Sequence, residues 1–200
     1  MEKVDILIIG AGVVGLAAAK ILAEDYDDIV LVEKEESFGR HTSSRNSEVL
    51  HSGIYYPHNS KKAKLCVQGI DMIYDFARQY NIPFNNCGKL VVARSEEEIP
   101  ELEKLKQKGE QNGVKNLKII DQAECQELEP RIKALSALHV PSTGIIDTHT
   151  LMQKLESEAE KKGAIILYDM EVISIDTLDE GYLVNFENSE AFEVDTIINC

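Results

Sequence analysis

Gly10-Ala11-Gly12-Val13-Val14-Gly15 is the stretch of sequence that decides the fold of this chain. It follows an almost wholly apolar run, residues 4–9, which is typical of a strand buried on both faces of a parallel sheet. Residues 16–25 have a helix-forming composition, and residues 29–33 predict a second buried strand. A strand, a glycine-rich turn, a helix and a second strand in this order predict a compact βαβ unit.

The spacing of the three glycines indicates a site for a dinucleotide. Gly10 permits a tight turn, Gly12 lets the backbone approach a pyrophosphate, and Gly15 lets the helix pack closely on the strand. The helix N-terminus then offers N–H groups and the positive end of a dipole to the phosphates. Glu33, at the end of the second strand, can accept hydrogen bonds from a ribose diol and would repel the 2′-phosphate of NADP. The pattern leaves NAD and FAD open, and a glycine-rich turn without any ligand is the alternative.

Composition and charge exclude several classes of protein. The chain has 200 residues, 44% hydrophobic and 28% charged, which is the balance of a globular chain able to bury a core. Its net charge of −14 repels nucleic acid phosphates, so we expect no nucleic acid partner. No run of about eighteen uncharged apolar residues occurs, so the sequence predicts no transmembrane segment. Peripheral association with a membrane stays open.

The cysteines indicate neither a metal site nor a disulfide framework. The four of them, at positions 66, 87, 125 and 200, form no CxxC pair and lack the spacing of zinc ligands. We therefore expect no metal and reduced thiols, which fit a reducing compartment. On this basis we expect a cytoplasmic protein, and the alternative is a peripheral position on the inner membrane.

The rest of the chain alternates between helical and strand patterns. Residues 39–56 are rich in Ser, Gly, Arg, His and Asn and predict an extended polar loop. The helix predicted at 61–80 has Leu65, Ile70, Ile73 and Phe76 available for burial. Further helices are predicted at 96–112 and 148–162, and strands at 89–93, 136–141, 164–167, 171–176, 182–186 and 193–199.

The polar loop carries a resemblance to a known family. Gly39-Arg40-His41-Thr42-Ser43-Ser44-Arg45-Asn46-Ser47 and the segment 49–56 resemble the part of D-amino-acid-oxidase-like flavoproteins that follows the pyrophosphate and ribityl chain to the isoalloxazine. Glycerol-3-phosphate dehydrogenases are among these flavoproteins. The resemblance implies that the dinucleotide is FAD.

A longer match narrows the resemblance to the L-2-hydroxyglutarate dehydrogenases. It consists of His-Ser-Gly-Ile-Tyr-Tyr at 51–56, Lys-Ala-Lys-Leu-Cys-Val-Gln-Gly at 62–69, Cys-Gly-Lys-Leu-Val-Val-Ala at 87–93 and Thr-Gly-Ile-Ile-Asp at 143–147, with shorter matches between them. It implies oxidation of a 2-hydroxy acid to a 2-oxo acid by hydride transfer to the flavin, with L-2-hydroxyglutarate as the first expected substrate and 2-oxoglutarate as its product, and with electrons passed to a quinone or to oxygen. The alternatives are glycerol-3-phosphate or amino-acid oxidation on the same scaffold, or a nucleotide-binding fragment without turnover.

The resemblance and the residue chemistry together give the expected site. The expected cofactor contacts are Gly10, Gly12, Gly15, Glu33, Lys34, Arg40, Thr42, Ser43, Ser44 and, through its backbone at the adenine, Val172. Among the expected catalytic residues, His51 is a candidate base or substrate-orienting group because it titrates near neutral pH. Arg45 suits a phosphate or a substrate carboxylate. Tyr55 and Tyr56 offer hydroxyl donors and ring surface beside the flavin, although each of these four residues can also be purely structural.

These observations predict an α/β fold with interleaved domains. Residues 1–78 and 148–200 are expected to form a Rossmann-like FAD-binding domain with a parallel sheet, and residues 79–147 part of an antiparallel substrate domain. Because residue 200 falls inside a predicted strand, we expect the chain to be truncated at its C-terminal end.

Overall fold

The computed structural model describes residues 2–200. Its strands and helices follow one another in this order: β1 (Glu2–Ile9), α1 (Val13–Leu22), β2 (Ile29–Val32), β3 (Val49–Leu50), α2 (Lys61–Tyr80), β4 (Phe84–Asn85), β5 (Lys89–Ala93), α3 (Ile99–Gln111), β6 (Lys118–Asp121), α4 (Gln122–Leu128), β7 (Ser136–Val140), β8 (Gly144–Ile146), α5 (Thr148–Lys161), β9 (Ile165–Leu167), β10 (Val172–Thr177), β11 (Tyr182–Phe186) and β12 (Phe192–Asn199). Short 3-10 helices lie at Thr42–Ser44 and Glu96–Glu98.

The chain folds into two structural units that interleave along the sequence. The first unit combines the chain up to Ser47 with Thr148–Cys200, and the second is Glu48–Asp147. Residues 48–78, predicted with the FAD-binding domain, fall in the second unit by this division. The predicted domain boundaries stay predictions.

A six-stranded sheet organises the first unit. Its strand order is β10-β11-β12-β1-β2-β9, with β12, β1, β2 and β9 parallel and β10, β11 and β12 antiparallel. All four residues of β2 are buried, as expected for a strand covered on both faces. The prediction of an α/β fold with a parallel sheet and antiparallel strands is confirmed, and the parallel sheet carries an antiparallel edge.

Helix α1 packs through a surface of small residues. Gly15, Leu16 and Ala19 are its buried positions, and it contacts α5 within the first unit. The helix begins at Val13 and ends at Leu22, three residues before the predicted bounds at each end. The early start matters because it places the glycine turn directly against the first helical N–H groups.

Two small antiparallel sheets organise the second unit. Their orders are β3-β8-β4 and β5-β7-β6. One core cluster of this unit includes Ile54, Ala93, Leu102, Leu138 and Val140, all buried. The helix predicted at 61–80 and the strand predicted at 89–93 are found at those residues, as α2 and β5.

Other sequence predictions about the second unit are wrong. Ile70 is buried as predicted, but Leu65 is 65% exposed, because the other buried residues of α2 are Ala63, Tyr74 and Ala77. The helix predicted at 96–112 is divided into a 3-10 turn and α3, with a proline in its first turn. Strands β3, β4, β6 and β8 and helix α4 were not predicted. Among residues 2–200, no helix combines the length and apolar composition needed to span a membrane.

Candidate functional site

The glycine turn leaves no room for side chains. A Cβ atom on Gly15 would lie 1.9 Å from the carbonyl oxygen of Gly10, and a Cβ on Gly10 would lie 2.7 Å from the carbonyl oxygen of Cys200. Gly10 also has a φ of 104°, which favours glycine. Sequence reasoning expected Gly10 and Gly15 to allow a tight turn and close helix packing, and the geometry agrees with both roles.

Helix α1 starts without a cap from its own preceding residue. Gly12 occupies the N-cap position and has no side chain to accept a hydrogen bond. The N–H of Val13 instead donates to Oγ of Ser43, at 3.1 Å, across thirty residues of sequence. A Cβ on Gly12 would approach this same Oγ to 3.1 Å. The start of the helix is thus bounded by small groups, the arrangement needed for a phosphate to approach its N–H groups.

Glu33 is a buried acid that fastens the glycine turn. It is 9% exposed, and its Oε2 accepts a hydrogen bond of 2.8 Å from the N–H of Ala11. Its Oε1 accepts a second one, of 3.1 Å, from the N–H of Glu35. Because a carboxylate has about four acceptor sites, two backbone donors leave capacity for the hydroxyls of a ribose.

A cleft of about 370 Å³ in the first unit brings together seven of the ten predicted cofactor residues. Its lining is Gly10, Gly12, Val13, Val14, Gly15, Glu33, Gly39, Arg40, His41, Thr42, Ser43 and Cys200. A neighbouring cavity of about 260 Å³ shares Gly10, Glu33, His41 and Cys200 with this cleft. Lys34 and Val172 line that second cavity. The buried acid thus stands between the glycine turn and the strand expected at the adenine.

The side chains of Arg40, Ser44 and Arg45, in the polar loop, differ in what they contact. The guanidinium of Arg40 bonds the carboxylate of Glu36, and Oγ of Ser44 donates to the carbonyl of His41 at 3.0 Å. The hydroxyl of Ser44 therefore closes a turn, and it lines neither of these cavities. Arg45 is exposed and lines a polar depression; within the described part of the chain, no carboxylate lies within 4 Å of its guanidinium. The structure thus leaves Arg45 available to an anion.

The second unit brings His51, Tyr55 and Tyr56 together with two lysines. Nζ of Lys89 lies 4.4 Å from the ring centroid of Tyr55, and Nζ of Lys62 lies 4.9 Å from that of Tyr56. Both distances are within the range of a cation–π interaction. Partial burial, followed by the charges of Lys89 and Lys62, lowers the pKa of His51 below its usual value near 6.5. These residues form an aromatic and cationic cluster, which we call the His51 cluster.

Lys62 and Lys89 are not among the residues predicted from the sequence. Both fall in motifs of the longer match, Lys-Ala-Lys-Leu-Cys at 62–66 and Cys-Gly-Lys-Leu at 87–90. A lysine pattern alone usually marks a solvated surface, and only the placement of α2 and β5 joins them to His51. In residues 2–200, no group of three or more His, Cys, Asp or Glu side chains is placed to hold a metal ion.

Comparison with known proteins decides the family. The model of the DAO family, FAD dependent oxidoreductase, matches residues 5–200. The chain belongs to this family of FAD-dependent oxidoreductases. The mitochondrial L-2-hydroxyglutarate dehydrogenase of Arabidopsis thaliana is 46% identical over 77% of the chain, and that of Homo sapiens 42% over 88%. The chain covers 32% and 38% of these two relatives, so it spans less than half of their length.

Two solved structures have the same fold. The dithionite-reduced L-alpha-glycerophosphate oxidase of Mycoplasma pneumoniae with FAD bound is 30% identical, with a TM-score of 0.90 over 98% of this chain and 53% of that one. L-proline dehydrogenase from P. horikoshii superposes with a TM-score of 0.87 at 20% identity, which shows the fold alone. The resemblance stated from the sequence is confirmed at the level of the family and of its FAD cofactor.

The cleft of the first unit fits the cofactor of this family. Glycines occupy positions where a Cβ would intrude, the N-cap residue of α1 is a glycine without a capping side chain, and a buried carboxylate has free acceptor capacity. One prediction is contradicted, because the relatives are named as mitochondrial proteins, which conflicts with a cytoplasmic location. The physical reason is that cysteine spacing indicates only a reducing environment and does not distinguish among the compartments that provide one.

Proposed function

We propose that this chain provides the FAD-binding part and one wall of the substrate site of an enzyme that oxidises L-2-hydroxyglutarate to 2-oxoglutarate. The observation that carries the proposal is its similarity, over most of the chain, to relatives named L-2-hydroxyglutarate dehydrogenase. The glycine turn, Glu33 and the His51 cluster supply the groups that this chemistry needs.

The cleft of the first unit would bind the ADP half of FAD. The N–H groups at the start of α1 would hold the pyrophosphate, with Gly12 permitting its approach and Thr42 and Ser43 offering hydroxyls. Glu33 would accept hydrogen bonds from the ribose hydroxyls, and the backbone of Val172 would contact the adenine. Lys34, Arg40 and Ser44 complete the proposed set of cofactor contacts.

The oxidation requires one proton and one hydride to leave the substrate. FAD, when bound, supplies the acceptor for the hydride of the carbinol carbon. A ring nitrogen of His51 would accept the hydroxyl proton, because the lowered pKa keeps the imidazole neutral at neutral pH. Tyr55 and Tyr56 would orient the substrate through their hydroxyls, and Arg45 would pair with a carboxylate or a phosphate. A quinone or oxygen would then take the electrons.

A second candidate is oxidation of glycerol 3-phosphate. The observation in its favour is the close superposition on an L-alpha-glycerophosphate oxidase at 30% identity. The same cationic groups would serve for a phosphate dianion as for a carboxylate, so the two candidates differ in the substrate and not in the cleft.

The test is the colour of the flavin under anaerobic conditions. The protein would be expressed with any sequence that its gene encodes beyond Cys200, loaded with FAD and mixed with L-2-hydroxyglutarate. Rapid loss of the visible flavin absorbance is expected. If the flavin stays oxidised with L-2-hydroxyglutarate but is bleached by glycerol 3-phosphate or an amino acid, the substrate is one of these alternatives.

A variant then tests the role of His51. We expect His51→Ala to retain FAD and to be reduced by substrate far more slowly than the parent protein. A variant that is reduced at the parent rate would exclude His51 from the chemistry.

A further inference from the structure

The ammonium groups of two lysines of the second unit lie over the rings of Tyr55 and Tyr56. Lys62 belongs to the first turn of α2, and Lys89 is the first residue of β5. Their Nζ atoms lie 4.9 Å and 4.4 Å from the ring centroids of Tyr56 and Tyr55, respectively. An ammonium group over a ring face keeps at least one N–H free to point elsewhere, since lysine has three donors. The rings therefore position the two ammonium groups without satisfying them.

Neither lysine has an acidic partner. Among residues 2–200, no carboxylate lies within 4 Å of Nζ of Lys62 or Lys89. Some surface lysines, such as Lys20, Lys104 and Lys106, are paired with acids, but others, such as Lys64, are not, so the absence of an acid does not by itself mark a site. Lys89 is also half-buried, and this burial lowers its pKa. A half-buried cation without a counter-ion has an energetic cost that an anionic ligand would remove.

The positive charges of Lys62 and Lys89 act on the imidazole of His51. Both lower the pKa of the imidazole by repelling its protonated form, after the larger effect of burial, and no acid opposes them. Lys108 adds a third cation nearby, although its Nζ already donates to the carbonyl of Tyr55 at 2.8 Å. The His51 cluster is therefore a local positive region in an acidic protein, open to an anion that also contacts the candidate base.

We propose that Lys62 and Lys89 form a clamp that binds a carboxylate of the substrate beside His51. The inference rests on the proposed function and adds to it the residues that would hold the acid group. The ammonium groups donate charge-assisted hydrogen bonds to the carboxylate oxygens, and the rings of Tyr55 and Tyr56 hold the ammonium groups in place. The clamp would explain why an acidic chain can take a dicarboxylate, since the attraction acts at contact distance.

The test measures binding apart from flavin reduction. Sodium 2-oxoglutarate is titrated by calorimetry into the FAD-loaded protein and into its Lys62→Met and Lys89→Met variants, which keep the length and apolar stem of the side chain. Each variant is expected to bind about tenfold to a hundredfold more weakly, the usual effect of losing a hydrogen bond between charged groups. Lys64→Met is the matched control, because Lys64 is an exposed lysine of the same helix and loses the same charge. The control should change affinity less than twofold.

Several results would overturn the clamp. Parent-like affinity in Lys62→Met and Lys89→Met would do so, as would an equal loss in Lys64→Met, which would reveal only a long-range charge effect. Absence of 2-oxoglutarate binding to the parent protein would also overturn it, whatever the flavin does. If the binding of glycerol 3-phosphate, and not that of 2-oxoglutarate, depends on the two lysines, the assignment to a carboxylate is wrong.

A second measurement uses the parent protein in case the variants do not fold. Lysine amines are converted to ¹³C-dimethylamines, which keep their charge, and their NMR signals are followed during the titration. The signals of Lys62 and Lys89 should shift and that of Lys64 should not; unshifted signals at saturation would refute the clamp. Because neither measurement requires turnover, a flavin that L-2-hydroxyglutarate does not bleach would refute the proposed reaction and leave the clamp to be decided separately.

Discussion

Gly15→Ala is the sharpest test of the glycine turn. The added Cβ would lie 1.9 Å from the carbonyl oxygen of Gly10, whereas ordinary van der Waals contact begins near 3.4 Å. Helix α1 must therefore move away from β1 by about 1.5 Å, because the atom in contact belongs to the backbone and cannot rotate away. Overpacking of this kind costs about 1–3 kcal/mol of the free energy of unfolding. The shift also withdraws the N–H groups of α1 from the phosphates that they would bind.

Gly69→Ala is a matched control that is expected to change the free energy of unfolding in the opposite direction. Gly69 lies inside α2, and a Cβ added there meets no heavy atom within 4 Å. Gly69→Ala should therefore stabilise the protein by about 0.4–1 kcal/mol, since alanine loses less backbone entropy on folding. The two variants make the same chemical change in a helix, so their difference isolates the contact between Gly15 and Gly10.

The assay is urea unfolding followed by circular dichroism, with FAD retention measured as the ratio of visible to protein absorbance. Gly15→Ala should lower the free energy of unfolding and lose most of its FAD, whereas Gly69→Ala should keep both. If Gly15→Ala unfolds within about 0.5 kcal/mol of the parent and binds FAD with equal affinity, a threshold set by ordinary surface substitutions, the close approach of α1 to the turn does not determine the site.

Three further predictions concern side chains of the two units. Ser43→Ala removes the acceptor of the first helical N–H of α1 and should destabilise the protein by about 1 kcal/mol in urea unfolding, while an unchanged midpoint would show that water replaces the hydroxyl. Glu33→Gln replaces one carboxylate oxygen by an NH₂ donor that faces a backbone N–H. This change should lower the free energy of unfolding by on the order of 1.5–3 kcal/mol and weaken FAD binding. Equal FAD affinity in a fluorescence titration would show that the acid does not belong to the site. The NMR titration midpoint of His51 should lie below 6.5 and rise in Lys89→Met. Because its folded pKa is below the unfolded one, the stability it contributes is present above about pH 6.5 and lost as the pH falls through the folded pKa, so a midpoint unaffected by Lys89→Met contradicts the assigned cause.

The first unit was predictable because its signals are local. The strand, the glycines, the helix and Glu33 follow one another within the first 33 residues, and each residue type has one physical reason for its position. What the sequence did not show is the partner of the helix start. Ser43 reaches Val13 across thirty residues, and such a contact depends on where the polar loop folds back.

The second unit was less predictable because its sheets are short and paired at long range. Strand β3 has two residues and pairs with β8, more than ninety residues later in the chain. Strands of two or three residues contain too few positions for an alternating pattern to be detected. The exposure of Leu65 has a related cause, because the buried face of α2 consists of two alanines and a tyrosine beside Ile70, and such a face is set by what the helix packs against.

The sequence shows where a helical lysine lacks an acid within reach, but it does not show whether that lysine binds a ligand. On α1, α3 and α5 the paired lysines have a glutamate three or four residues away, as in Lys20 with Glu24 and Lys104 with Glu101. Lys62 has His58, Asn59, Leu65 and Cys66 at those spacings, and none of them is acidic. Lys64 of the same helix also lacks an acid at these spacings and is exposed to water, so the absence of an acid does not by itself indicate a ligand. What distinguishes Lys62 and Lys89 is that their ammonium groups lie over the rings of Tyr56 and Tyr55 and that both charges lower the pKa of His51. This placement depends on where α2 and β5 fold, so the sequence alone does not reveal it.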